Sequence, residues 1–197
     1  MYTPLFPTIL FSDTLSEISD QDLNFYKNSI LNESLSTPLF DDKENKKHGK
    51  YTDNIQILNQ KKFKLLKNII ESRVKVYLKK IYNIEYSIDI INSWGNITNK
   101  DTKIVKHHHL NSFISGCFYF NHGSNFNLYD PYIDNWMVDF KSQIKFTISP
   151  SPKLLVLFPS WIAHDSDISN NERVSLAFDV ILRDKNNNVI IKNHDKR

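Results

Sequence analysis

The sequence predicts a mainly β domain of the α+β class, with supporting helices in its N-terminal part and antiparallel sheets closing as a β-sandwich or jelly roll. The order of the patterns carries most of this expectation. Apolar residues recur at helical spacing up to about residue 82 and at alternate positions from Tyr86 onward, with no helical stretch between the later strands. The 197 residues suffice for one domain with a real core and are too few for two ordinary ones. Neither a repeat nor a compositional boundary divides them. The expected organisation is a single domain over residues 1–197, helical over 14–82 and strand-built over 86–182.

Taken in order, Leu5-Phe6-Pro7-Thr8-Ile9-Leu10-Phe11 reads as an edge strand, since an edge tolerates the missing N–H of Pro7. Over residues 14–34, Leu15, Ile18, Leu23, Tyr26 and Ile30 recur at roughly helical spacing and predict a first helix. Residues 35–53 read as a polar loop whose charge run, Asp41 to His48, is solvated surface; His48 receives no role. The strongest helix is expected over 55–82, where an apolar stripe from Ile55 and Leu58 to Leu78 and Ile81 opposes Lys, Arg and Glu. Strands are expected at 86–97, 103–109, 112–121, 125–130, 144–148, 153–158 and 173–182. Turn-forming runs such as Asn121-His122-Gly123-Ser124 and Ser149-Pro150-Ser151-Pro152 separate some of them.

Composition excludes several function classes. Four glycines argue against Gly-rich phosphate loops, and a net charge of only +3 implies no broad nucleic-acid-binding face. The single cysteine, Cys117, permits no intramolecular disulfide and no multi-cysteine zinc site. Its strand-like apolar neighbours make it a buried, inert thiol. The N-terminus lacks the basic and apolar regions of a signal peptide, and no apolar run approaches the ~18 residues a membrane span needs. A soluble, cytoplasmic protein without membrane partners is expected.

Histidine carries the chemistry. On an extended segment His107 and His109 of His107-His108-His109 share one face while His108 points the other way. Two imidazoles at i and i+2 are within reach of one metal ion. His164, in Phe158-Pro159-Ser160-Trp161-Ile162-Ala163-His164, is placed to add a third ligand from a distant strand, leaving the opposite coordination positions open. Nine residues on, Arg173, Ser175, Ala177 and Asp179 share a strand face, with Val174, Leu176, Phe178 and Val180 on the other. A guanidinium beside a hydroxyl makes a carboxylate pocket. Together the two features suit a dicarboxylate that chelates the metal at its far end.

The segments Asn92-Ser93-Trp94-Gly95-Asn96-Ile97, His107-His108-His109-Leu110-Asn111-Ser112, Ser115-Gly116-Cys117-Phe118-Tyr119-Phe120, Leu157 to His164 and Arg173-Val174-Ser175 form one block. Over residues 86–182 this block resembles the 2-oxoglutarate/Fe(II) oxygenase family of marine bacteria and their phages. That family carries Trp-x-Asn, His-x-His-Pro-Asn-Ser, Ser-Gly-x-x-Tyr-Tyr, Phe-Pro-Ser-x-x-x-His and Arg-x-Ser. Leu110 and Phe120 depart from the pattern without removing a needed group. The resemblance implies a double-stranded β-helix (jelly roll) fold, Fe(II) as cofactor, 2-oxoglutarate as co-substrate, and location in a bacterial host's cytoplasm if phage-encoded. It makes His107 and His164 iron ligands and Arg173, assisted by Ser175, the anchor for the distal carboxylate of 2-oxoglutarate. The implied reaction is an oxygenation, by default a hydroxylation of a small-molecule or peptidyl substrate, coupled to decarboxylation of 2-oxoglutarate to succinate and CO2.

The wider superfamily places a carboxylate two residues after the first ligand, where this chain has His109. The third ligand is then His109 itself, Asp130 of Tyr129-Asp130-Pro131, or water or halide; Asp130 also reads as a turn residue before Pro131. Trp94, Asn96, Asn111, Ser115, Tyr119 and Tyr129 are candidate cavity residues, with Asn96, Asn111 and Tyr119 toward the co-substrate; Trp136 and Trp161 read as core or rim. Two other classes would keep the histidines: a cupin-like metal-binding protein with no use for Arg173 and Ser175, and a non-catalytic binding module.

Overall fold

Most of the strands read from the alternating half of the sequence are present in the computed structural model, which describes residues 8–37, 47–131 and 145–190. In chain order the elements are β1 (Phe11–Thr14), α1 (Asp20–Leu31), β2 (Leu35–Ser36), β3 (Lys47–His48), β4 (Lys50–Thr52), two single 3₁₀ turns (Ile57–Asn59, Lys61–Phe63) and α2 (Lys64–Tyr82). Then come β5 (Ser87–Thr98), β6 (Thr102–Lys103), β7 (Ile114–Tyr119), β8 (Phe126–Tyr129), β9 (Lys145–Ile148), β10 (Leu154–Pro159), β11 (His164–Ser166) and β12 (Arg173–Arg183). A seven-stranded sheet runs β1-β10-β7-β12-β5-β4-β2, and a three-stranded sheet runs β11-β8-β9. Both are antiparallel throughout; the small β3–β6 pair is parallel.

The period of two in the sequence fixes what each face of the large sheet covers. Ile114, Phe118, Leu155, Leu157, Leu176 and Phe178 point outward and pack beneath α1 and α2, against Ile30, Leu66, Ile70 and Val74. The intervening residues Cys117, Tyr119, Val156 and Phe158 point inward and meet Phe126 and Leu128 of the small sheet. The two sheets face one another across this second, thinner core. That is the jelly-roll arrangement the sequence predicts, with the helices bracing one outer face.

Gly116 lies where β7 passes closest to the ring of Phe178. A β-carbon there would sit 2.2 Å from Phe178 Cζ, and that ring is fully buried. Gly116→Ala is therefore expected to destabilise the fold by about 1–3 kcal/mol through overpacking. Thermal unfolding should shift down by several degrees, and an unchanged transition would show that β7 moves aside at no cost.

Several boundaries differ from expectation. The first helix starts at Asp20, not residue 14, because Ser19 caps it, its hydroxyl accepting from the Asp22 N–H at 3.0 Å. Phe11–Thr14 instead pairs with β10. The 55–82 helix is divided: Gln60 is extended, and α2 proper begins at Lys64. The 35–53 loop contains β2, β3 and β4, strands of two or three residues, too short to show a pattern; β2 pairs with β4, which continues onto β5, and β3 pairs with β6. Residues 104–109 carry no ladder, although His107 and His164 form a two-residue bridge. Leu5–Pro7, the charge run up to Lys46, and Trp136 lie outside the described residues. Among the described residues, no helix is long and apolar enough to cross a membrane.

Candidate metal centre

Antiparallel register turns the inward residues of four strands into rows across the large sheet. One row is Asn92, Asp179, Ser115 and Phe158; the next is Trp94, Ala177, Cys117 and Val156. Asn96, Ser175 and Tyr119 follow, and Thr98 with Arg173 ends the series. Ala177 and Cys117 are small, so the second row leaves a chamber. The three histidines close the chamber at the Asp179 end, and Arg173 closes it at the other.

His107 and His164 are held together by paired backbone hydrogen bonds, His107 N–H to His164 O at 3.0 Å and His164 N–H to His107 O at 2.8 Å. His109 is placed by its own N–H donating to Ser160 O at 2.9 Å. Alternation survives without a regular strand: His107 and His109 face the site and His108 is exposed. The ligand-capable atoms of His107, His109 and His164 lie within 4.8 Å of one another.

In each ring the Nδ1 faces an acceptor. His107 Nδ1 is 2.7 Å from Val105 O, His164 Nδ1 is 2.9 Å from Ile162 O, and His109 Nδ1 is 2.6 Å from Asp179 Oδ1. Acceptors at all three Nδ1 positions select the tautomer with a bare Nε2, which is the form a metal binds. Burial, with the neighbouring imidazoles adding to it, pushes His164 well below the usual histidine range and His107 below it as well. Both are then neutral at physiological pH, ready to ligate.

At the far end Arg173 is 3% exposed, and among the described residues no carboxylate pairs with it. One guanidinium nitrogen donates to Ser124 O at 3.0 Å and the group lies 5.9 Å from the Tyr119 ring centroid. Arg173 Nε, Ser175 Oγ and Tyr119 OH are all buried and have no hydrogen-bond partner. Orphaned donors around a buried cation are costly, so the chamber calls for an anion of matching shape. Gly123 makes room for this arrangement; a β-carbon there would meet Arg173 Cβ at 2.4 Å.

A wider cleft of about 510 Å³ opens on the other side of the histidines, lined by Tyr51, Ile55, Ile91, Asn92, Val105, His108, Leu110 and Asn111 among others. Tyr51, Trp94, His107 and His109 border both spaces, so the histidines stand between an inner chamber and an outer entrance. A β-bulge helps build that entrance. Asn92 pairs with Asp179 and Ile90 with Val180, leaving Ile91 as the extra residue beside Asn92.

Of the sequence candidates, His107, His109, His164, Arg173, Ser175, Asn96, Tyr119, Ser115 and Trp94 all line the inner chamber. Asn111 lines the outer cleft instead. Asp130 follows the last residue of β8 and is not part of the histidine cluster, and Tyr129 lies on the other face of β8, its hydroxyl donating to Asp165 Oδ2 at 2.7 Å. Trp161 is a half-exposed rim residue edge-on to Phe113. Sequence reasoning missed Tyr51, which sits in the supposed loop, and gave Asp179 no role although it shares the Arg173 face.

Comparison with known proteins agrees with this geometry. Residues 92–179 match the family described as "Putative 2OG-Fe(II) oxygenase". No curated protein matches the chain in sequence. Similar solved structures include a prolyl-4-hydroxylase from Pseudomonas putida (TM-score 0.62, 10% identity, covering 89% of this chain and 94% of that one). HygX from Streptomyces hygroscopicus, solved with nickel and 2-oxoglutarate bound, has a TM-score of 0.63 at 9% identity over 88% and 82% of the two chains. A prolyl hydroxylase from Trichoplax adhaerens, in complex with a hypoxia inducible factor oxygen degradation domain peptide fragment, has a TM-score of 0.57 at 16% identity over 87% and 82%. At these identities the likeness is one of fold.

Proposed function

We propose, from the match of residues 92–179 to the 2OG-Fe(II) oxygenase family, that this chain is an oxygenase of that kind, in which His107, His109 and His164 hold iron(II) and Arg173, Tyr119 and Ser175 hold the distal carboxylate of 2-oxoglutarate. The observation that carries the reading is the orphaned trio of donors at one end of a chamber that three bare imidazole nitrogens close at the other. The donor set fits both groups: neutral imidazoles suit a first-row metal, and a guanidinium beside two hydroxyls suits a carboxylate. Iron(II) bound there supplies, with 2-oxoglutarate and O2, the oxidising power of the reaction, with decarboxylation to succinate and CO2.

The chain's own residues do the rest. The backbone carbonyls of Val105 and Ile162 fix the orientation of His107 and His164. Phe126 and Phe158 pack on the His164 ring, their centroids 5.6 and 4.9 Å away, and keep water from its buried side. Ala177 and Cys117 are the small residues of the row between the histidines and Ser175, where the keto-acid chain would lie. The substrate enters through the outer cleft, whose described lining residues include no lysine or arginine. That lining suits an uncharged portion of a small-molecule or peptidyl substrate. Hydroxylation is the outcome we assign.

The test is direct. Protein loaded anaerobically with iron(II) should bind 2-oxoglutarate with one-to-one stoichiometry and, on addition of O2 and ascorbate, form succinate slowly without substrate. A protein that takes up metal yet neither binds nor consumes 2-oxoglutarate would be a cupin-like metal protein instead.

A further inference from the structure

Replacing a carboxylate ligand by an imidazole removes one negative charge from the metal's immediate surroundings. In this chain the charge reappears one bond-length shell further out. His109 donates through Nδ1 to Asp179 Oδ1 at 2.6 Å, and that carboxylate is buried, with 7% of its surface exposed. Two hydroxyls converge on the same oxygen, Ser115 Oγ at 2.8 Å and Ser112 Oγ at 3.2 Å. Ser160 Oγ lies 2.9 and 3.0 Å from those two and completes the network. Trp94 lies alongside His109, 5.6 Å between ring centroids, and limits the ring's rotation. The other two histidines answer only to neutral backbone carbonyls. Asp179 is thus the one carboxylate, among the described residues, that is hydrogen-bonded to the histidine cluster.

We propose that Asp179 is a positioning residue that completes the metal centre: through His109 it returns the negative charge a three-histidine set lacks and holds His109 with Nε2 turned to the metal. The inference rests on the reading that all three histidines are ligands. A carboxylate behind a ligating imidazole raises the basicity of that ligand and fixes its tautomer, and partners of this kind are typically worth ~10–100-fold in metal affinity. The serine network holds the carboxylate in one orientation, so His109 meets an oxygen already in place. Ser115 and Asp179 stand opposite one another in the β7–β12 register, and Asp179 is the last paired residue before the bulge at Ile91. The backbone therefore fixes the pair's position.

Cobalt(II) titration of the full chain tests the proposal, with the visible spectrum of the cobalt form as a second readout. Asp179→Asn keeps the volume and the oxygen and removes the charge. It should weaken cobalt(II) binding by ~10–100-fold and shift the ligand-field bands, with the near-ultraviolet circular dichroism of the metal-free protein unchanged. Wild-type affinity and spectrum in Asp179→Asn would overturn the proposal. Imidazole ¹⁵N resonances of the unsubstituted, metal-free chain give a measure that needs no variant. His109 should be protonated on Nδ1 and bare on Nε2, and the opposite tautomer would also overturn it. His109→Ala separates the two levels of inference. If that variant binds cobalt(II) as the wild type does, the three-histidine reading itself fails. If it loses the metal while Asp179→Asn does not, only the role of Asp179 fails.

Discussion

His164→Ala is expected to abolish iron(II) binding and all 2-oxoglutarate turnover, whereas His108→Ala should leave the metal bound as tightly as before. The contrast follows from where the four imidazoles lie. His164 is buried, bridged to His107 through both backbone hydrogen bonds, and presents Nε2 because its Nδ1 is engaged with Ile162 O. Removing it takes away one of the three proposed ligands. A partner one step outside the ligand shell is commonly worth ~10–100-fold in affinity, so loss of a direct ligand should exceed about 100-fold. His107→Ala should behave like His164→Ala. His108 sits between His107 and His109 in sequence and still points away, to the solvent-exposed outer cleft. Its removal should leave metal affinity within about twofold, a difference of less than ~0.5 kcal/mol. Metal content after anaerobic loading and dialysis, with calorimetric cobalt(II) titration, measures both. The reverse ranking would mean that the extended segment presents its other face to the metal.

How far the sequence reaches can be judged from the same residues. Alternation placed His107 and His109 together and His108 apart, and it did so for a segment that forms no ladder, because an extended backbone alternates whether or not it is paired. It placed Arg173 and Ser175 on one face of β12 for the same reason. The long strands of the second half, β5 and β12 above all, were legible because each buries a continuous row against a core. Tyr51 was not legible. Its strand is three residues long and pairs with Asn96, forty-five positions away, and nothing in a polar stretch announces such a partner. Asp179 was visible as a member of the Arg173 face, but its meaning required register. Only the pairing with Ser115 and the fold of 107–109 over the sheet bring it to His109. Asp130, the alternative third ligand, stands just past the end of β8 and outside the group formed by the three histidines.

Arg173→Ala is expected to raise the dissociation constant for 2-oxoglutarate by at least ~100-fold while metal affinity stays within about twofold. Charged hydrogen bonds contribute roughly 1.5–3 kcal/mol each, and a guanidinium offers a carboxylate two in parallel. Ser175 and Tyr119 alone present hydroxyls, which cannot match them. The separation of the two affinities follows from the layout: Arg173 stands at the opposite end of the chamber from the histidines and touches none of them in the hydrogen-bond network. Arg173→Lys should recover only part of the loss, because an ammonium keeps the charge and gives up the planar fork. The metal-free Arg173→Ala protein should be no less stable than the wild type by more than about 1 kcal/mol, since the substitution removes a buried cation that has no anionic partner to lose. Thermal unfolding then gives a sharp readout. Metal-loaded wild-type protein gains about 2.7 kcal/mol at 2-oxoglutarate concentrations of 100 times the dissociation constant. The Arg173→Ala protein at the same concentration gains almost nothing. Equal loss of metal and 2-oxoglutarate binding would remove Arg173 from the carboxylate and return it to a structural role under Gly123.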